Sequence, residues 1–489
     1  MWLLSAETWA LLLALLLLFV LNGYSTYGLF RRLRVPGPSP RVYLGSVARH
    51  HKVYYLDDVA CRKKYGKVWG VYELRRPLLM VTDVDMIRTV LVKECFRCFT
   101  NRRNLRLNGD LADALSLMED ERWRRTRHTV SPFFSSGRLK EMFRVVKHHS
   151  GKATQFLRSR AEKQEALEVK RFFGAYVLDA IVSLTCSVDV DSLNHPASPL
   201  VEHASGFLRV WGGLFMLQGL FPSLLPLLEK LDLSLFPRSS SQFFLRFLRK
   251  VQEERRGAAQ VSPDFLSFMA DSQASGGPAA GLSEREVLIQ AAMLVLGGYS
   301  TGADTLTFVA YNLARHPEVM TRLQQEIDAT FPGESAVEYQ ALMQMEYLDC
   351  VVSESLRLYP PAARLERVAK QTVVVGSVEI PKGLIVAVPV FALHRDPDLW
   401  PDPEDFKPER FSRERRVDVV PYSYLPFGAG PRNCVGMRLA LIMVKLVLVE
   451  VLQNFSFSVC AETEIPLEMD PQGLVGPLRP IKLRVEPRA

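Results

Sequence analysis

One cysteine stands in a glycine-rich stretch whose residue types could hold a sulfur anion. Cys434 lies in FGAGPRNCVGMRLA (427–440), with Gly428 and Gly430 before it and Gly436 after it. Glycines permit a tight, bulged loop that turns backbone N–H groups toward a sulfur. A helix predicted to begin near Gly436 would place its N-terminus beside Cys434, and a helix N-terminus stabilises a thiolate. The spacing F-x-x-G-x-R-x-C-x-G therefore predicts a metal-ligating thiolate rather than a structural thiol.

Two neighbours of Cys434 indicate what the thiolate would bind. Gly436 would let the helix pass close beneath a flat cofactor, and Phe427 can pack against the edge of that cofactor. A thiolate bound to haem iron donates electron density that favours cleavage of the O–O bond. The loop therefore predicts haem-thiolate chemistry, with Cys434 as the axial ligand of the iron.

A carboxylate and two arginines could support this loop. Glu354 and Arg357 form an E-x-x-R pair on a predicted helix, where positions i and i+3 share one face. Such a pair is ordinarily a surface salt bridge that contributes little stability. Arg410, in FKPERF (406–411), could donate to the same carboxylate. The three residues are therefore predicted to form a buried triad that supports the cysteine loop.

A long predicted helix over 283–313 contains GGYSTG (297–302), where oxygen chemistry could take place. Gly297 and Gly298 each cost roughly 1 kcal/mol inside a helix. That cost favours a functional reason, such as close approach of a ligand or a local bulge that holds water. Thr301 could donate to dioxygen or to that water, although a helical threonine also bonds to the carbonyl four residues earlier.

Several basic residues could hold a cofactor with two carboxylates. Trp123 and Arg127 share one face of a predicted helix, at i and i+4, and each could reach one carboxylate of a porphyrin. Arg102, Arg367 and Arg432 are further candidates for the same role.

The composition places these motifs in a large globular domain. The chain has 489 residues, of which 48% are hydrophobic and 23% charged, which excludes a disordered or a polytopic membrane protein. The net charge of +8 is scattered and accompanies no nucleic-acid motif. It suits an anionic membrane surface, an acidic protein partner or a merely solvated basic surface. Seven irregularly spaced cysteines favour a reducing compartment over a disulfide framework.

The N-terminal residues predict a single membrane anchor. Residues 9–21 contain no polar side chain, and three arginines follow at 31, 32 and 34. A cleaved signal peptide is disfavoured because no basic segment precedes the apolar run. Positive charge after the span keeps the rest of the chain on the cytosolic side. We therefore predict an anchor at 1–28, a basic and proline-rich hinge at 29–40, and a haem-thiolate catalytic domain at 41–489.

The remaining pattern is mainly helical with a small β-rich part. Two strands are predicted within 67–82 and short strands over 366–395. The segment 207–249 is unusually apolar and is interrupted by prolines at 222, 226 and 237; it could dip into the membrane, line a path for apolar substrates or form packed core. Residues 252–282 are predicted to form an exposed connection.

Together these motifs resemble the cytochrome P450 superfamily, in the order in which that family carries them. The resemblance runs from about Val35 to near the C-terminus and is closest to the vertebrate family-three enzymes, which oxidise steroids and bulky drugs. It implies a mainly helical fold around haem b and an anchor in the endoplasmic reticulum membrane. It also implies electrons from an NADPH-dependent flavoprotein reductase, sometimes with cytochrome b5.

The resemblance also assigns roles by matched position. Arg102, Trp123, Arg127, Arg367 and Arg432 would hold the haem propionates. The substrate pocket would be lined by Ser116, Leu117, Leu296, Gly297, Ala362, Ala363 and Leu474.

One position departs from the family pattern, which places an acid just before the threonine of the oxygen-site helix. Here that position is Ser300, which can bond to water but cannot carry a charge.

The first function considered is a monooxygenase that inserts one oxygen atom into bulky lipophilic substrates, with Ser300 and Thr301 as the catalytic pair. A haem-thiolate isomerase of lipid endoperoxides is the second alternative, and it needs no proton supply. Ser300 in place of an acid favours this isomerase, and the retained Thr301 disfavours it. A non-catalytic haem- or sterol-binding protein is the third alternative.

Overall fold

The structure is a computed structural model that describes residues 5–47, 51–161, 165–207, 210–255 and 264–488. It is mainly helical with a smaller β-rich part, which confirms the predicted fold class. The α-helices are α1 Ala6–Tyr24, α2 Leu29–Arg32, α3 Tyr54–Tyr65, α4 Val84–Arg88, α5 Asp120–Val130, α6 Ser136–Ala161, α7 Val169–Cys186, α8 Pro199–Gly206, α9 Gly212–Leu220, α10 Leu225–Lys230, α11 Arg238–Glu254, α12 Phe265–Ala274, α13 Glu284–Arg315, α14 Pro317–Thr330, α15 Tyr339–Gln344, α16 Glu346–Leu358, α17 Val390–Leu393 and α18 Met437–Asn454.

Short strands make up the β-rich part, including both regions where strands were predicted. They are β1 Val68–Glu73, β2 Arg76–Val81, β3 Leu167–Glu168, β4 Leu365–Val368, β5 Val373–Val375, β6 Val378–Ile380, β7 Ile385–Val388, β8 Phe455–Ser458 and β9 Lys482–Pro487. The largest sheet has the order β1-β2-β7-β4; the β2–β7 pair is parallel and the other pairs are antiparallel. Two smaller antiparallel sheets have the orders β3-β9-β8 and β5-β6.

The long helix α13 runs through the main hydrophobic core and packs closely on α7. It begins with a capping box, in which the side chains of Ser283 and Glu286 each bond to the other's backbone N–H. A Cβ on Gly298 would lie 2.1 Å from Ile181 Cδ1, and a Cβ on Gly302 would lie 3.1 Å from Val177 Cγ1. The absence of a side chain at Gly298 therefore serves the approach of α7, rather than the approach of a ligand that the sequence suggested.

The segment predicted as a hinge is packed against the first strand. Phe30 and Val35 are buried, and the backbone N–H of Gly70 in β1 donates to Pro36 O at 2.8 Å. A Cβ on Gly37 would lie 2.0 Å from Gly70 O, so only glycine fits at this crossing. These contacts fix how the chain leaves α1.

Among the described residues, α1 is the one unbroken helix long and apolar enough to cross a membrane, over Glu7–Tyr24. Only 6% of this stretch is buried against the rest of the chain. A largely unburied apolar helix differs from a core helix, which packs on all sides.

The segments after α8 differ partly from expectation. The prolines break the apolar segment 207–249 into α9, α10 and α11, as predicted, while residues 208 and 209 lie outside the described residues. The prediction of an exposed connection over 252–282 is wrong for α12, because Phe265, Leu266 and Met269 are buried in the main core. Residues 256–263 of that connection lie outside the described part.

Candidate functional site

The cysteine loop has the tight shape that its glycines predicted. Gly428 and Gly430 have φ angles of +73° and +72°, which other residues rarely adopt. A Cβ on Gly430 would lie 2.0 Å from Leu91 O, so the loop also needs glycine for close packing. The backbone N–H of Cys434 donates to Phe427 O at 2.9 Å and closes the loop.

The Cys434 thiol is accessible to solvent although it lies deep in the protein. Burial is the largest influence on it and raises the pKa of the thiol, while the N–H groups of Gly436 and Met437 donate to the sulfur and act in the opposite direction. Arg102 and Arg127 also lower the pKa of the thiol through their charge. The helix α18 begins at Met437, as predicted, so its N-terminus points at the sulfur. A bound metal cation would complete the stabilisation of a thiolate here.

Four buried or half-buried arginines lie in this part of the protein: the charges of Arg102 and Arg127 act on Cys434, and the charge of Arg102 acts on Arg367 and Arg432. Arg102, Arg127, Arg367 and Arg432 form no ion pair with any other residue that the structure describes. Burial, followed by the charge of Arg102, lowers the pKa of Arg367 to about 10 and that of Arg432 to about 9. Arg367 Nε is buried and has no hydrogen-bond partner within the described chain. Concentrated positive charge of this kind fits a ligand with two carboxylates.

All four arginines also donate hydrogen bonds to backbone carbonyls; Arg367 Nη1 donates to the neighbouring Glu366 O at 2.8 Å. Arg432 Nε and Nη2 donate to Thr100 O and Met118 O at 2.8 and 2.7 Å, and its guanidinium lies 4.1 Å from the centre of the Trp123 ring. Trp123 therefore covers Arg432, a contact that helical spacing on α5 did not reveal.

Arg102 and Arg127 bond to the backbone of the cysteine loop. Arg102 Nη2 donates to Arg432 O at 3.0 Å, and Arg127 Nη1 donates to Asn433 O at 2.8 Å. Both guanidinium groups are thereby fixed within electrostatic reach of Cys434.

The predicted triad is present and fully buried at its centre. Arg357 donates through Nε and Nη2 to the two carboxylate oxygens of Glu354, at 2.7 and 2.9 Å. Arg410 Nε donates to Glu354 Oε1 at 3.3 Å, and the backbone N–H of Lys407 donates to the same oxygen at 2.9 Å. The Arg357 guanidinium also donates to His394 O and to the 403 and 405 carbonyls. The triad thus joins α16 to the segment that precedes the cysteine loop.

His394 connects this triad to the cysteine loop, and sequence reasoning missed it. The backbone N–H of Leu425 donates to His394 Nε2 at 2.8 Å, so Nε2 carries no proton. The proton must then be on Nδ1, which donates to Arg357 O at 3.0 Å. Burial, followed by the charge of Arg357, lowers the pKa of His394 to about 3 and keeps the ring neutral. A histidine within ALHRDPDLW (392–400) gave no spacing signal for this role.

The middle of α13 presents a different arrangement. Thr301 Oγ1 donates to Gly297 O at 2.9 Å, which is the helix bond that the sequence left open as an alternative. Ser300 Oγ donates to Asp304 Oδ2 at 3.2 Å. A Cβ on Gly297 would meet nothing within 4 Å, so this glycine borders open space.

The residues matched to a substrate pocket fall into two groups. Gly297 borders open space, and four others are partly accessible: Ser116, Leu117, Ala362 and Leu474. Leu296 is buried in the main core, and Ala363 is buried among Tyr55, Phe391 and Val475.

Comparison with known proteins agrees with this geometry. The cytochrome P450 family model matches residues 35–485. The chain is 53% identical to cytochrome P450 3A40 of Oryzias latipes, over 99% of this chain and 98% of that protein. It is 51% identical to cytochrome P450 3A27 of Oncorhynchus mykiss, over 99% and 95% of the two chains. It is 47% identical to cytochrome P450 3A12 of Canis lupus familiaris, over 99% and 97%.

The chain therefore belongs to the cytochrome P450 family. It is a monooxygenase, and its cofactor is haem b. The residues fit this cofactor, because haem b offers a metal for a thiol and two carboxylates for guanidinium groups.

Proposed function

We propose that Cys434 would bind the haem iron through its thiolate and that the surrounding arginines would hold the haem propionates. The observation that carries this is the accessible thiol at the start of α18, facing guanidinium groups that have no acidic partner among the described residues. Arg367, with its free Nε, and Arg102 and Arg127, near the sulfur, would contact the propionates. Arg432 would mainly shape the loop, because its own donors reach backbone carbonyls.

The reaction that we propose is insertion of one oxygen atom from O₂ into bulky lipophilic substrates such as steroids and xenobiotics. When bound, haem b supplies the oxygen chemistry, in which the second oxygen atom is released as water. The electrons would come from NADPH through a flavoprotein reductase, in some reactions with cytochrome b5. The protein would orient the substrate beside Gly297, where the structure has open space, and would keep the thiolate bonded to the Gly436 and Met437 N–H groups.

We further propose that the chain is anchored in the endoplasmic reticulum membrane with its catalytic domain in the cytosol. The basic residues that follow α1 support this orientation. The apolar surface of α9 and α10 lies beside the anchor, since Arg75 donates both to Asn22 O in α1 and to Leu220 O in α9. Trp211 and Leu227 on this surface are largely exposed, which suits contact with lipid.

The ligand assignment is tested with Cys434→Ser and the control Cys460→Ser, which changes a cysteine in the loop after β8, where its sulfur lies near Lys482 O. We expect Cys434→Ser to lose the thiolate-type spectrum of the reduced CO complex and Cys460→Ser to keep it. An unchanged spectrum in Cys434→Ser would contradict the assignment.

The reaction is tested by reconstituting the full chain with reductase in vesicles and a panel of steroids. We expect NADPH-dependent product with one oxygen atom from labelled O₂. Conversion of a lipid endoperoxide without reductant, and no product from the steroids, would instead support the isomerase.

A further inference from the structure

A buried aspartate lies one helical turn after the serine that stands in place of an acid. Ser300 and Asp304 are four residues apart on α13, so their side chains lie on the same face. Ser300 Oγ donates to Asp304 Oδ2 at 3.2 Å, and Asp304 is only 2% exposed. The helix therefore carries a carboxylate next to Ser300, although not at position 300.

A lysine of α7 connects this carboxylate to solvent. Lys170 Nζ lies 2.6 Å from Asp304 Oδ1, and 43% of the lysine side chain is exposed. The two helices come this close because Gly298 and Gly302 leave room for α7 side chains. Polar atoms thus follow one another without a gap from the surface at Lys170, through Asp304, to Ser300.

The groups around Asp304 oppose one another in their effect on its charge. Burial is the largest influence and raises the pKa of Asp304, and the negative charge of Asp470 acts in the same direction. Lys170 and the Ser300 hydroxyl lower the pKa of Asp304. The negative charge of Asp304 also acts on Tyr299, whose pKa is raised to about 12, mainly by burial, so the phenol stays neutral. A carboxyl group in such surroundings can gain and lose a proton.

The inner end of this row of polar groups lies beside Thr301. Thr301 Oγ1 donates to Gly297 O, and its oxygen can still accept a hydrogen bond. No protein atom lies within 4 Å of a Cβ built on Gly297, one turn before Thr301, so water can approach the helix there. Ser300 is partly accessible, whereas Leu296 and Ala303 on neighbouring turns are buried.

We propose that Lys170, Asp304 and Ser300 form the proton path of this monooxygenase and take over the role of an acid at position 300. The inference rests on the proposed function, because each inserted oxygen atom requires one O₂, two electrons from the reductase and two protons, and yields one water. Each proton enters at Lys170 from solvent and moves to the Asp304 carboxylate. The Ser300 hydroxyl accepts it from Asp304 and releases its own proton toward a water molecule that would occupy the open space near Gly297 and Thr301.

The first test removes the charge at Asp304 and keeps its shape. In reconstituted holoenzyme, we expect Asp304→Asn to lower product per NADPH by about tenfold, with hydrogen peroxide rising in proportion. The matched control is Asp264→Asn, because Asp264 is also buried and paired with a partly exposed base, Arg255, at 2.8 Å. We expect this control to leave product per NADPH unchanged. An unchanged yield in Asp304→Asn would overturn the proton path.

A second test restores an acid one turn earlier. We expect Ser300→Glu, introduced into the Asp304→Asn variant, to recover most of the lost yield, because the carboxylate then stands beside Thr301 itself. A purely structural role of the Lys170–Asp304 pair predicts no recovery, since the ion pair stays broken. Failure of the double variant to recover while it keeps its haem spectrum would therefore count against the path.

A third readout does not depend on turnover. Infrared spectroscopy of the full chain should show a protonated carboxyl band that grows in Lys170→Met, because Lys170 lowers the pKa of Asp304. This band should be absent when Asp304→Asn is added. The absence of any change would show that Lys170 and Asp304 are not coupled and would overturn the outer step.

The thiolate-type CO spectrum separates the two proposals. Its loss in the unmodified chain overturns the proposed function, whereas its retention with normal yield in Asp304→Asn overturns the proton path alone.

Discussion

The cysteine loop and the middle of α13 are the two proposed halves of the site, and they are held in different ways. The loop depends on local spacing: two glycines with positive φ, a backbone bond from Cys434 to Phe427, and the start of α18. The turn around Ser300 depends on a partner from another helix, since Asp304 is paired with Lys170 of α7. The comparison teaches that the proposed metal ligand is placed by a short motif, whereas the proposed proton path is assembled only when distant helices pack.

The largest effect should come from breaking the support of the loop. Arg357→Leu would leave the Glu354 carboxylate buried without its main partner, and removing one partner of a buried ion pair costs about 3–5 kcal/mol. We expect this variant to purify with little haem and a lowered midpoint of urea unfolding. The control Glu409→Gln breaks the exposed Arg322–Glu409 pair, which should cost at most about 1 kcal/mol. Equal losses in the two variants would contradict the importance of the triad.

A smaller effect should follow from removing the link between triad and loop. His394→Leu would leave the Leu425 N–H without its acceptor, which costs about 1–3 kcal/mol for a buried group. Folding lowers the pKa of His394 from 6.5 to about 3, so the unfolded chain binds the extra proton. This histidine therefore reduces stability as the pH falls from about 6.5 toward 3.

We expect His394→Leu to be less stable than the unmodified chain at pH 7, with a weaker loss of stability between pH 6.5 and 4. Thermal unfolding followed across that range measures both effects. The control His128→Asn changes an exposed histidine and should alter neither. A pH slope identical to that of the unmodified chain would show that His394 is not held neutral by the fold.

The contrast between the two halves also explains which parts could be predicted from the sequence. The helical class, the strands near residues 67–82 and 366–395, the start of α18 and the Glu354–Arg357–Arg410 triad follow from patterns within short stretches. Lys170, Asp304 and His394 stand outside any motif of recognisable spacing, so the Lys170–Asp304 pair and the bond from Leu425 to His394 follow only from how the folded segments pack. Gly298 was predicted to serve the approach of a ligand or a bulge that holds water, because its cost in a helix can be read from sequence, whereas the presence of Ile181 opposite it cannot.

The smallest effect compares the two neighbouring glycines of α13. Gly297→Ala adds a methyl group to open space and should raise stability by up to about 1 kcal/mol, because alanine favours a helix over glycine. Gly298→Ala would place its Cβ 2.1 Å from Ile181 Cδ1, so the isoleucine must turn aside and offset that gain. We therefore expect the higher melting temperature in Gly297→Ala.

Gly297→Ala should at the same time weaken the spectral response to bulky steroids, since the methyl group occupies space proposed for substrate. Gly298→Ala should leave that response unchanged. Because the two variants differ only in which side of the same helix receives a methyl group, the pair separates packing against α7 from contact with substrate. The reverse pattern, with steroid binding lost in Gly298→Ala alone, would mean that the open face of α13 is not the substrate face.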